Sequence, residues 1–336
     1  MSHRNAPLSA PARMPRSPTD VRSRGPLLLV LLALAWTAPV PPTAHAAPPP
    51  EDTWLQSLYD RVAADVRAGR PVVVQAHVPL CDNRIIRCGR YGLGDGDSPR
   101  TNLYWATSGG FKGWFGRKKS GWTGVYKGAH AHDDILEVRV WRRRFPATRA
   151  WRERGVERSF EVYVVAFAWR GSAILQAMNA YAADLFGQTP RPQELADGTR
   201  LEAGGAAHIV SYVGHNGWMD VAQFNWPTSP KSGQLAEETP EKGTIAVACI
   251  TADYIGRDVS HQKRVPLLMT KTLLFAGAHS FEGAVSAFAR ARSLSRIRRA
   301  AATSYATGQD KTVRRVWSAF TNPSDRRWAG TVGSAD

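Results

Sequence analysis

"SFEVYVVAFAWRGSAILQAMNAYAADLFG", residues 159–187, decides the fold class. Its first part, through Trp169, is apolar at nearly every position and rich in β-branched and aromatic residues. No alternation leaves one face for water, so a strand buried on both faces is implied. After Arg170 the period changes, and Ile174, Leu175, Met178, Tyr181 and Leu185 fall on one side of a helix. A buried strand running straight into an amphipathic helix is the repeating unit of α/β proteins.

The same signature recurs on either side. "WLQSLYDRVAADVRAG" (54–69) carries Leu55, Leu58, Val62 and Val66 at helical spacing and stops at Gly69, and "PVVVQAHVPL" (71–80) follows as a strand. "AAHIVSYV" (206–213), "GTIAVACI" (243–250) and "VPLLMT" (265–270) are further core strands, and "SFEGAVSAFARARSLSRIRRAAATSYA" and "KTVRRVWSAF" are C-terminal helices. Buried strands alternating with helices predict a mostly parallel sheet covered on both faces. The stretch between Cys81 and Trp122 is too glycine-rich and irregular for a regular element. Its many aromatics argue for an ordered, functional loop.

Residues 1–46 have the composition of a leader: Arg4, Arg13, Arg16, Arg22 and Arg24 precede "PLLLVLLALAW" and then "AHA" at 44–46. The apolar core is short for a bilayer span. Cleavage after Ala46 and export to the periplasm or beyond are expected, with membrane contact only through the leader; a retained anchor is the alternative. Losing five arginines and one aspartate lowers the formal charge from +16 to +12, so the remaining 290 residues are basic in their own right. A proline-rich lead-in, 47–53, is expected to be disordered. A single α/β domain over 54–300 and a helical tail over 301–336 complete the organisation.

The positive charge is clustered in "RVWRRRFPATRAWRERG" (139–155) and "RARSLSRIRR" (290–299). A solvated helix face is the plain explanation, and an anionic envelope polymer is the partner such clusters would attract outside the cell. Nucleic acid is not expected for an exported chain, and no cofactor motif is present. Cys81, Cys88 and Cys249 are the three cysteines. Cys81 and Cys88 could pair in an oxidising compartment and leave Cys249 free, whereas a Cys81–Cys249 bond would disable any chemistry at Cys249.

"SYVGHNGWMD" (211–220) places His215 just past one strand, and Cys249 lies just past the next. Ligands of parallel sheets bind at the carboxyl ends of the strands. A thiol becomes a nucleophile when a neighbouring imidazole takes its proton, so His215 and Cys249 are the candidate catalytic pair, with the N–H groups of Gly217 and Cys249 as oxyanion donors.

"IVSYVGHNG" and "TIAVAC" resemble the caspase-like cysteine peptidases. The resemblance implies a three-layer αβα sandwich, His215 as general base, Cys249 as nucleophile, an oxyanion site at Gly217 and a peptide or protein substrate. The family pattern has glycine directly after the histidine, where Asn216 stands here, and "ITADYI" after Cys249 lacks a small residue. "HVPLCDN", "LGDGDSPRTNLYW" and "AWRGSAI" are also similar to an uncharacterised group of bacterial exported proteins, which brings no activity with it. On the peptidase reading Asp82, Asn83, Asp95, Asp97, Asn102, Arg170 and Asp220 are the candidates for gripping substrate. A non-catalytic polymer-binding protein with a vestigial dyad is the alternative.

No metal site is expected. "GLGDGD" (92–97) lacks the spaced oxygen ligands of a calcium loop. "HAHDD" (130–134) lacks the closing histidine of a metallohydrolase run and is expected to be a solvated loop.

Overall fold

The computed structural model describes residues 51–187, 190–220, 224, 239–259 and 263–328, so the leader, residues 47–50 of the lead-in and residues 329–336 lie outside the described residues. Helices are α1 (Glu51–Arg67), α2 (Phe111–Phe115), α3 (Arg149–Arg152), α4 (Ile174–Leu185), α5 (Thr251–Val259), α6 (Ala278–Phe288), α7 (Leu294–Gly308) and α8 (Val313–Val316). Strands are β1 (Val72–Pro79), β2 (Thr123–Gly128), β3 (Ile135–Phe145), β4 (Phe160–Trp169), β5 (Gln193–Glu194), β6 (Arg200–Leu201), β7 (Ile209–Val213), β8 (Lys242–Val247), β9 (Arg264–Thr270) and β10 (Phe320–Thr321). Among the described residues no helix is long and apolar enough to cross a membrane.

Eight strands form one sheet in the order β10-β9-β8-β7-β1-β4-β3-β2. The five strands from β9 to β4 are parallel, and β10, β3 and β2 add antiparallel edges. Side chains of β1 divide between the two faces: Val72, Val74, Ala76 and Val78 pack with α1, α6 and α7, while Val73 joins Met178, Tyr181 and Ile255 of α4 and α5 on the other face. The result is an α/β three-layer sandwich with a mostly parallel central sheet, its core strands continuously buried as their composition requires.

Three elements differ from expectation. The arginine cluster at 139–145 is not a helix face but the far end of β3, where half-buried arginines stand between buried Val140, Trp141 and Phe145. Near a sheet edge one face stays partly wet, which lets a charged sequence form a strand. Residues 301–328 are not a separate tail: α7 runs through position 300, β10 pairs with β9, and Trp328 is buried in the core. Residues 51–53, assigned to the disordered lead-in, open α1.

The aromatic loop folds beneath itself. Trp105, Phe111 and Phe115 are fully buried, and Phe115 stacks on Trp141 at 4.9 Å. These rings complete the core against α6, where Phe281 meets Phe111 at 5.1 Å.

Candidate active site

The chain crosses from β1 to the edge strand β2, comes back through β3 to β4 beside β1, and then continues on the other side of β1 with β7, β8 and β9. The topological switch therefore lies between β1 and β7, and the crevice past their carboxyl ends is where this architecture binds ligands. Pro79, Val213 and Val247 end β1, β7 and β8 there. Gly214 lets the two central strand ends close up: a Cβ at 214 would lie 3.0 Å from the Pro79 carbonyl oxygen.

His215 follows, almost wholly buried, with its carbonyl accepting from Tyr212 Oη at 2.7 Å and from the Gly217 N–H at 3.1 Å. Gly217 opens a short 3-10 turn to Met219, and Trp218 within it packs on the Tyr212 ring at 4.7 Å. The imidazole Nε2 is hydrogen-bonded to Asp220 Oδ2. With Nε2–H donating to the carboxylate, the basic lone pair of a neutral imidazole sits on Nδ1.

Asn216 ties the histidine turn to the cysteine. It is fully buried; its Oδ1 accepts from Trp218 N at 3.0 Å, and its Nδ2 donates to the Cys249 carbonyl. Asn216 is thus the bridge between the two strand ends.

Cys249 is half-buried, and Cys81 and Cys88 are joined in a disulfide, which leaves Cys249 as the free thiol. Its turn is clamped from behind by a threonine pair: Thr251 Oγ1 donates to the Ala246 carbonyl at 2.8 Å and lies 2.9 Å from Thr270 Oγ1. Ile250, directly after the cysteine, has φ +52°. A β-branched residue in the left-handed region is a steric outlier, and such strain concentrates at functional turns. Sγ faces the Leu274 carbonyl oxygen at 3.7 Å. Burial raises the phenol pKa values of Tyr104 and Tyr305. Phe275 stacks on Tyr104 at 6.0 Å and donates its N–H to Tyr305 Oη at 3.3 Å, completing an aromatic wall.

Among the described residues no hydrogen bond joins His215 to Cys249 Sγ, and the Gly217 N–H assigned to the oxyanion is donated instead to the His215 carbonyl. A tight turn consumes its own amide, a detail that residue spacing does not carry. Among the described residues no hydrogen bond is donated by the Cys249 N–H.

The remaining candidates fall into three places. Asp220 holds the histidine rather than standing apart as a substrate ligand. Asn102 is fully buried and pins the loop by bonds to Cys81 N at 3.0 Å, the Cys81 carbonyl at 2.8 Å and the Asp95 carbonyl at 3.0 Å. Asn83 braces the disulfide loop through Cys88 N and the Gly89 carbonyl. Asp82 is gripped by Arg84, which holds its carboxyl below the usual range, while Asp97 is shared by Arg84 and Arg170. Arg170 also meets Asp134 at 3.2 Å. Asp82 and Asp97 are therefore held by Arg84 and Arg170 within one ion-pair network. Asp95 stays exposed, with one carboxylate oxygen taking the Asp97 N–H.

Sequence marks Asn216 only as the residue after the histidine and does not mark Tyr104, Tyr305 or Leu274; the four come from separate segments that only the fold brings together. His130 and His132 accept backbone N–H groups of His132 and Asp134 at 2.9 and 3.2 Å, which makes them turn-forming groups. Among the described residues no cluster of acidic, histidine or cysteine side chains has the geometry to hold a metal. No family model, curated protein or solved structure matches the chain.

Proposed function

We propose that the chain is an exported cysteine hydrolase of the caspase-like kind, cleaving peptide bonds through Cys249 and His215. The observation that carries this is the Asn216 side chain, which makes the histidine turn and the Cys249 turn one hydrogen-bonded unit at the switch point of the sheet. The mechanism requires the thiol to leave the Leu274 carbonyl, 3.7 Å away, and meet the imidazole. His215 accepts the thiol proton on the nitrogen opposite Asp220, and the thiolate attacks the scissile carbonyl carbon. The Cys249 N–H donates to the developing oxyanion. His215 then protonates the leaving amine as the C–N bond breaks. Water, deprotonated by His215, hydrolyses the thioester, releases the acid and restores the thiol. Asp220 keeps the imidazole in one tautomer throughout.

Asp82 and Asp97 are already paired with arginines, so a basic side chain finds no free carboxylate in them.

The test is iodoacetamide labelling located by mass spectrometry, run beside hydrolysis of a fluorogenic peptide library. Cys249 of the folded protein should label faster at neutral pH than a free thiol. His215→Ala should remove that advantage, and Asp220→Asn should lower peptide turnover about 10- to 100-fold, the scale of general acid–base contributions. Labelling of Cys249 only after unfolding, or at an unchanged rate in His215→Ala, would overturn the proposal.

A further inference from the structure

On the face of the molecule formed by α6 and α7, a groove of about 540 Å³ runs between the two helices. Its floor is made of small residues, Gly283, Ala287 and Ala300. The helices approach so closely that a Cβ at Gly283 would lie 2.7 Å from the Ala300 carbonyl oxygen. Four guanidinium groups line it: Arg290, Arg292, Arg296 and Arg299.

Among the described residues the exposed guanidinium groups of Arg292, Arg296 and Arg299 have no ion-pair or hydrogen-bond partner, and the Arg290 guanidinium donates to the Ser286 carbonyl at 2.6 Å and lies over the Phe145 ring at 5.1 Å. Glu282, the acidic residue of the groove, is already used by Arg143 at 3.2 Å and by Trp122 Nε1 at 3.2 Å. An ordinary solvated helix carries charges of both signs that pair at i, i+4. Here the charge is of one sign and concave, which focuses the field into the groove.

We infer that the α6–α7 groove binds an acidic polysaccharide, its carboxylates on Arg292, Arg296 and Arg299. Two features select this over other anions. A second hollow of about 280 Å³ shares Arg299 and contains the half-exposed Trp317; Arg298 lies over one face of that ring at 4.2 Å, so a sugar would stack on the other face. Thr303 and Ser304 hydroxyls on the groove wall suit sugar hydroxyls. A single aromatic does not provide the succession of stacking rings that single-stranded nucleic acid uses. The apolar residues Leu294 and Ile297 are buried rather than presented to a bilayer. The site is independent of Cys249 chemistry.

The experiment measures binding of the Cys249→Ala protein to polygalacturonate by titration calorimetry at low and moderate salt. Neutral dextran, single-stranded DNA and phosphatidylglycerol vesicles are the comparison probes. Polygalacturonate should bind, more weakly as salt rises, and the double variant Arg296→Glu/Arg299→Glu should lose at least tenfold in affinity. Arg87→Glu/Arg100→Glu, two exposed loop positions outside the groove, changes net charge equally and should lose less than threefold. Equal losses in the two double variants, no loss in either, binding to dextran, or tighter binding to DNA or vesicles would each overturn the inference.

Discussion

Replacing Asn216 by alanine tests how the two strand ends are held. Its side chain is fully buried and makes two bonds, accepting from Trp218 N and donating to the Cys249 carbonyl. Loss of a buried partner costs about 1–3 kcal/mol per group left behind, and loss of a capping side chain about 1 kcal/mol. Together these give roughly 2–4 kcal/mol, a large share of the ~5–15 kcal/mol that holds a typical domain. With a urea slope of about 3 kcal/mol/M, the unfolding midpoint should fall by about 1 M. Asn216→Asp separates the two bonds: the carboxylate still accepts from Trp218 N but can no longer donate to Cys249, so it should lose nearly as much. Tryptophan fluorescence in urea measures both, and iodoacetamide labelling of Cys249 in the same variants reports whether the thiol is still positioned. A midpoint within about 0.2 M of the parent for the alanine variant would refute the bridge.

Two further substitutions probe strain and charge. Ile250 has φ +52°, so Ile250→Gly should be more stable than Ile250→Ala by about 1 kcal/mol, the reverse of the usual order; the ordinary order in paired melts would remove the strained turn. Lys242, fully buried at the start of β8, has its pKa pushed down from 10.5 to about 6, first by burial and then by Arg61 and Arg264. Between those values the unfolded chain binds the extra proton, so this group makes stability rise with pH from about 6 to 10.5. Near pH 7 the cost is on the order of 5 kcal/mol at 1.36 kcal/mol per pKa unit. Lys242→Met, which also gives up the bond from Nζ to the Gly205 carbonyl, should stabilise by about 1–3 kcal/mol. Its advantage should be larger at pH 6 than at pH 9, and an advantage that grows with pH would contradict the assignment.

The core strands were legible because burial on both faces demands continuous apolar runs, and β1, β4, β7, β8 and β9 all show them. β2 and β3 were not, since an edge strand such as "TGVYKG" carries glycine and lysine and β3 carries four arginines. α5 was hidden inside "TADYIGRDV", nine residues too short for a clear period. At the site, His215 and Cys249 followed from their places past strand ends. Asp220 was singled out for substrate but meets His215 five residues back, because the 3-10 turn reverses the chain. Asn216 could not be read as a bridge, because its partner lies 33 residues away and only the β7–β8 pairing makes them neighbours.

The Cys81–Cys88 bond has a consequence for the redox life of the protein. With those two sulfurs consumed, Cys249 has no partner within its own chain. Any oxidant that reaches it must stop at a sulfenic acid, go on to irreversible acids, or be resolved by a thiol from outside. In a compartment that favours disulfides, such a protein depends on an external reductant to stay a thiol, and its oxidised form is a mixed disulfide or a covalent dimer. A non-reducing gel would therefore reveal the covalent dimer as a band of twice the monomer's size.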